Sequence, residues 1–260
     1  MKVSDIISII EEFAPADIQE KWDNTGLQVG SPQQEVHGVL IGFDCTPALV
    51  REAVAAGCDM VITHHPLLFG GLKKVDPSDP VALALIEAVK GSVAVYSAHT
   101  SADKVISGVS GAMAAKLGLV NVRVLDPDPG AGTGLGVIGD LPEPMQAEPV
   151  LKLVKEKFGI PVLKVSKPVC GMISTVAMCG GSGSSLIGTA REAGAQLYIC
   201  GDISYHHFFT RDGFMVADVG HFESEVEIVQ IFYSLLRKKI PTFAVRVSAD
   251  LNNSNPIYYF

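Results

Sequence analysis

Several things are scarce in this chain, and each scarcity removes a class of function. No extended run of Lys or Arg occurs, and the 28 acidic residues outnumber the 20 basic ones for a net charge of -8. Nucleic acid and anionic membrane surfaces therefore find no electrostatic footprint here. No apolar stretch reaches the roughly 18 residues that a membrane span needs. The five cysteines (Cys45, Cys58, Cys170, Cys179, Cys200) include no CxxC pair, and each sits in or beside an apolar segment. They read as reduced core thiols, not as a disulfide framework or a metal cage. Charged residues make up only 18% of the chain. Against this stands 48% hydrophobic residues, which supplies a large core or a surface buried in an oligomer. The opening "MKVSDIISIIEEFAP" places Val3, Ile6, Ile7, Ile10 and Phe13 at helical spacing. Glu11 and Glu12 interrupt its apolar face, so it reads as an amphipathic helix, not a signal peptide, and a cytoplasmic location is expected.

Strand and helix patterns alternate along the chain, which predicts an α/β fold. "GVLIGFD" (38–44), "DMVIT" (59–63) and "SVAVYSA" (92–98) read as buried strands. Thr46-Pro47 and Asp79-Pro80 are helix starts, and Gly57 and Gly91 are helix ends. The plan recurs with "ISTVAMC" (173–179), "AQLYICGD" (195–202) and "FMVADVG" (214–220) as strands. "SLIGTAREAG", "ISYHHFFTRDG" and "FESEVEIVQIFYSLLRKK" are the expected helices between and after them. One fixed offset lays Leu49, Ala53 and Gly57 on Leu186, Ala190 and Gly194, and lays His64-His65 on Gly201-Asp202. In a second register "AHTSAD" (98–103) lies on "GHFESE" (220–225), so that His99 meets His221 and Asp103 meets Glu225. The chain is thus expected to hold two pseudo-repeated α/β halves, 1–125 and 126–260, with a metal site in the cleft between them. The last helix and strand have the option of packing back on the first half. The Pro- and Gly-rich stretch 126–149 marks the boundary, and "GLGVIGDL" within it is a candidate edge strand.

The pair His64-His65 poses a geometric question. Successive side chains on a strand point to opposite faces, so adjacent histidines chelate one ion poorly unless the chain turns. Both ends of the repeat deliver groups directly after apolar strands: His64, His65, His99 and Asp103 from the first half, His221 and Glu225 from the second. Histidine with carboxylate is a ligand set for Zn²⁺, Mn²⁺ or Fe²⁺, and adjacent histidines aimed differently suit two neighbouring ions. Each residue also has a plainer reading, as a packed histidine, a helix cap or an acid at a helix N-terminus.

The motifs "WDNTGLQVG" (22–30), "VITHHPLLF" (61–69), "AHTSAD", "CGGSG" (179–183), "CGDISYHH" (200–207) and "GHFESE" together resemble the NIF-three-like family, also called GTP cyclohydrolase I type 2. The resemblance covers nearly the whole chain. It implies two divalent ions (Zn, Fe, Mn or Ni) on His64, His65, Asp103, His221 and Glu225, and a toroidal homohexamer. It also implies that the loop around Trp22 lies near the metals. Two departures stand out: Ser101-Ala102 where the family usually has Asn-Leu, and Ser224 where it usually has Thr. Some members carry an inserted domain between the halves, for which the connector here has no room.

His99 is a candidate for proton transfer or for orienting a ligand. Asp202 and His206, four apart, would share a helix face as an acid–base pair, or serve as a cap and a packed ring. "CGGSGSS" (179–185) is either a phosphate cradle or a tight turn, and Asp23, Asn24 and Gly26 suit a turn. The expected function is a dinuclear-metal hydrolase acting on a small molecule, a nucleotide or a phosphoester. The alternative is a non-enzymatic metal-binding scaffold or regulator.

Overall fold

Asp79 shows how the helices of this chain begin. Its carboxylate accepts from the backbone N–H groups of Val81 and Ala82, and Pro80 occupies the first helical position, where a missing N–H costs nothing. The computed structural model describes every residue except Ala131, Cys170 and Phe260. The reading of Cys170 as a core thiol therefore lies outside the described residues. Residues Met1–Ala102 with Ile228–Tyr258 form one compact unit, and Asp103–Glu227 with Tyr259 form another. Among the described residues no helix is long and apolar enough to cross a membrane.

In chain order the first unit begins with α1 (Val3–Phe13), β1 (Gly26–Val29), β2 (Gly38–Ile41), α2 (Pro47–Ala55), β3 (Met60–Thr63), α3 (Pro80–Lys90), β4 (Ala94–Ser97) and most of the short α4 (Thr100–Asp103), whose last residue is counted with the second unit. The second unit holds α5 (Val109–Leu117), β5 (Val120–Pro127), β6 (Gly134–Gln146), α6 (Ala147–Phe158), β7 (Lys164–Val165), β8 (Met172–Met178), α7 (Ile187–Glu192), β9 (Leu197–Cys200), β10 (Met215–Asp218) and α8 (His221–Glu225). The chain then returns to the first unit as α9 (Ile228–Lys239) and β11 (Ala244–Val247).

The first sheet has the order β1-β4-β3-β2-β11. β4, β3, β2 and β11 are parallel, and β1 is antiparallel to β4. Every residue of β2, β3 and β4 is buried, as a parallel sheet covered on both faces requires. Leu40, Val61 and Val95 on one face pack with Leu49, Val50 and Ala53 of α2 and Ala84 and Ala88 of α3. α9 packs on β2, β11 and α1. Because the strands run the same way, the chain leaves β2, β3 and β4 at one edge of the sheet. Asp44, His64-His65 and His99 follow those three ends, the edge at which open α/β sheets bind ligands.

The second sheet has the order β5-β6-β8-β9-β10-β7, with β8, β9 and β10 parallel. Its carboxyl edge is followed by Cys179-Gly180-Gly181, Gly201-Asp202 and Gly220-His221. Several expectations change here. The stretch 134–141 is no edge strand, because β6 pairs with β5 on one side and β8 on the other. Pro142 and Pro144, which looked like boundary residues, fall where the β6–β8 register shifts between Asp140 and Met145, the place a strand tolerates proline. The units divide at 102/103 and 227/228, not at 125/126, because α5 and the β5–β6 hairpin pack on β8 in the second unit. The last long helix is two helices, α8 and α9, meeting near Val226. α6 was not expected, although Val150, Val154 and Phe158 at fourfold spacing form its buried face.

Candidate metal centre

In the first unit the chain does turn at the histidine pair. The backbone N–H groups of His64 and His65 both donate to the carbonyl of Phe43, at 3.1 and 3.4 Å. The carbonyl of His65 accepts from the hydroxyls of Thr63 and Ser97. These bonds end the strand and break its alternation, so the two rings converge with centroids 4.9 Å apart. Phe43 stacks on His64 and meets His65 edge-on, which fixes both rings. His99 joins them at 5.2 and 5.3 Å between centroids. One ligand atom from each of His64, His65 and His99 lies within 4.8 Å of the others.

Each ring is held through Nδ1. His64 Nδ1 donates to the carbonyl of Ala98 at 3.0 Å. His65 Nδ1 meets Asp44 Oδ1 at 2.7 Å, and His99 Nδ1 meets Asp23 Oδ1 at 2.8 Å. A neutral imidazole that donates through Nδ1 keeps its lone pair on Nε2, the state a metal ligand needs. Asp23 is the deepest of these supports, with a fully buried side chain. Burial alone would push its carboxyl up. Hydrogen bonds from His99 and Thr100 outweigh that and hold it well below the usual carboxylate range.

In the second unit His221 and Glu225 stand one turn apart on α8, with His221 Nε2 and Glu225 Oε2 3.0 Å apart. Two ligand atoms each about 2.0–2.2 Å from a common ion stand roughly this far apart. His221 Nδ1 meets Asp202 Oδ2 at 2.7 Å. Within each unit the histidines share one pattern, with Nδ1 on a carboxylate or a backbone carbonyl. Asp103, the first residue of this unit, acts with Glu225 on the buried Cys179 thiol, whose pKa is raised by burial first and by both carboxylates next. The residues present fit divalent metal in donor chemistry: imidazoles each held through one ring nitrogen, and carboxylates.

The glycines of "CGGSGSS" have a different purpose from a phosphate cradle. The N–H of Gly180 donates to Ser110 Oγ, that of Gly181 to Ser224 Oγ and that of Gly183 to the carbonyl of Gly181. The donors are thus engaged within the fold. Ser224 Oγ also donates to the carbonyl of His221, tying the loop to α8. A Thr hydroxyl would make the same two bonds.

Asp202 and His206 do not form an i,i+4 pair. Asp202 takes a left-handed backbone, φ +53, and the expected helix shrinks to a 3-10 segment, Tyr205–Phe208. Asp202 supports His221, while His206 is exposed with its ring against Tyr205 and Phe209. Two residues escaped the reading of the sequence as site residues. Asp44 had no signal beyond following an apolar strand. Asp23 was legible only as a turn former in "WDNTG".

With this geometry in view, comparison with known proteins is direct. The chain matches the family described as Duf34/NIF3 (NGG1p interacting factor 3) over residues 1–256, and it belongs to that family. It is 33% identical over 228 residues to the GTP cyclohydrolase 1 type 2 homolog of Clostridium perfringens, covering 86% of this chain and 87% of the relative. It is 32% identical over 265 residues to the homolog of that name from Lactococcus lactis, covering 99% of each. The fold is that of Staphylococcus aureus protein SA1388, with a TM-score of 0.91 at 24% identity, covering 100% of this chain and 99% of that one.

Proposed function

We propose that this protein is a metal-dependent hydrolase in which His64, His65, Asp103, His221 and Glu225 hold two divalent ions. What supports the reading is the shared hold on the histidines: four rings, each engaged through Nδ1 by a carboxylate or a backbone carbonyl, the kind of partner that orients a metal-ligating imidazole. When bound, such ions supply Lewis acidity and activate water as a nucleophile. The chain's own residues do the rest. Asp44 and Asp202 hold His65 and His221 in the ligating tautomer. In this reading His99, supported at Nδ1 by Asp23, takes up a proton at Nε2 and returns it. The names of the Clostridium and Lactococcus relatives favour a nucleotide as substrate, with GTP the first to try. The reading carries with it a cytoplasmic location, expected from the sequence, and a homohexamer, expected from the resemblance.

The test is metal content per chain in wild type and Glu225→Ala, followed by a hydrolysis screen with GTP and phosphoesters. The expected result is near two ions in wild type, fewer in the variant, and turnover that follows the metal. One ion or none after reloading with Zn, Mn and Fe would overturn the two-ion centre. Two ions without turnover, with a variant that unfolds on losing metal, would favour a metal-binding scaffold.

A further inference from the structure

Trp22 and Phe69 are large apolar side chains left 60% and 55% exposed, yet both are rigidly carried. Beside Trp22, the Asp23 carboxylate accepts from His99 Nδ1, from the backbone N–H groups of Asn24 and Thr100, and from the hydroxyls of Thr25 and Thr100. Beside Phe69, the carbonyl of Leu68 accepts from Asn24 Nδ2 at 2.6 Å, and its N–H donates to Gln28 Oε1. Gln28 Nε2 donates in turn to the carbonyl of Asn24, so the two loops are cross-braced. The indole and phenyl centroids are 5.9 Å apart with planes inclined at 56°, a V and not a closed stack. His99 stands edge-on to both, at 6.1 and 5.9 Å. A cavity of about 450 Å³ opens beside Phe69, lined by residues 23–24 and 68–72, in the range of small-molecule sites. A Cβ on Gly70 or Gly71 would meet nothing within 4 Å, so that wall is open.

We infer that Trp22 and Phe69 form an aromatic clamp that binds a planar heteroaromatic ring of the substrate beside His99. Exposed aromatic faces held still by their own backbones stack on flat rings of any base identity. A cationic ligand fits less well. The side chain of Asp23, the single acid of the lining, is fully buried and committed to His99 and Thr100, and the exposed Lys21, Lys73 and Lys74 flank the clamp in the chain. The inference rests on the hydrolase reading for the word substrate, but the clamp itself stands or falls separately.

Trp22 is the only tryptophan in the chain, so its fluorescence reports on this place alone. The experiment titrates metal-loaded full-length protein with guanosine, adenosine and uridine, with ribose 5-phosphate, and with tetramethylammonium. Metal content is measured on the same samples. Saturable quenching by a nucleoside is expected, weakened on the order of tenfold in Phe69→Ala, with metal content unchanged. Equilibrium dialysis of Trp22→Ala should show the same loss. Quenching by none of the nucleosides, quenching only by ribose 5-phosphate or tetramethylammonium, or wild-type affinity in Phe69→Ala would overturn the clamp. Ring binding by a wild-type protein that holds no metal would support the clamp and sink the metal reading.

Discussion

Gly181 lies against Glu225 so closely that no other residue fits between them. A Cβ on Gly181 would stand 2.2 Å from Glu225 Oε1 and 3.2 Å from His221 Cε1, and the glycine adopts φ +56. The loop that looked like a phosphate cradle is instead the wall that sets the position of two ligand candidates. Gly181→Ala must move either the loop or the carboxylate. The expected result is metal affinity reduced roughly 10–100-fold, with a further loss of about 1 kcal/mol from the left-handed backbone. Metal analysis and thermal unfolding of the metal-free form separate the two effects.

Asp202 offers a cleaner probe of histidine orientation. Asparagine tolerates its left-handed backbone, whereas alanine adds strain of about 1 kcal/mol. Asp202→Asn keeps an acceptor for His221 Nδ1 but removes the charge that makes the ring a stronger ligand. Metal affinity should fall on the order of tenfold with the unfolding midpoint of the metal-free protein nearly unchanged. Equal affinity in a competition titration against a chelator would show that Asp202 does not tune His221.

Stability should fall at alkaline pH. Cys200 is raised from its usual 9.0 to about 12, by burial first and by the Asp218 carboxylate next. Burial also raises Cys58 and Cys179, and it raises Tyr96 and Tyr198 above the usual 10.0. These groups stay protonated in the folded chain while the unfolded chain ionises. Their contribution is intact below pH 9 and is lost as pH rises from there through the folded values. For a group as buried as Cys200 the loss is about 1.4 kcal/mol per pH unit. Denaturant midpoints should be flat up to about pH 8.5 and decline above it. A thiol reagent at pH 8 should leave Cys58, Cys179 and Cys200 unreacted until the chain unfolds.

Ser101 carries a buried hydroxyl that has no hydrogen-bond partner among the described residues. An unsatisfied buried polar group costs about 1–3 kcal/mol. Ser101→Ala should therefore leave stability unchanged or raise it by about 1 kcal/mol, against the trend for core substitutions. A drop of that size in urea midpoint would show that the hydroxyl is satisfied in solution.

Much of the fold was legible because its signals are local. The buried runs at 38–41, 60–63 and 94–97 are each four residues of apolar or small side chain, and Thr46-Pro47 and Asp79-Pro80 start helices by bonds to residues three or fewer positions away. The misread stretches are those where a local pattern was overruled. The prolines of β6 signal a break but sit at a bulge. The apparent helix 203–213 is reduced to a single turn, next to the left-handed Asp202.

The candidate ligands His64, His65, Asp103, His221 and Glu225, and the candidate proton carrier His99, were picked from the sequence one by one because they come after apolar strands and such ends collect sites. Their supports were not. Asp44 is 21 residues from His65, Asp202 is 19 from His221, and Asp23 is 76 from His99. No periodicity links residues so far apart. The parallel sheets bring the strand ends at Asp44, His65 and His99, and those at Asp202 and His221, to one edge each, and a loop closes Asp23 onto His99. The sequence alone determined which side chains are able to ligate. Only tertiary structure decided which nitrogen each histidine presents, because the partner that holds the other nitrogen arrives from a distant part of the chain.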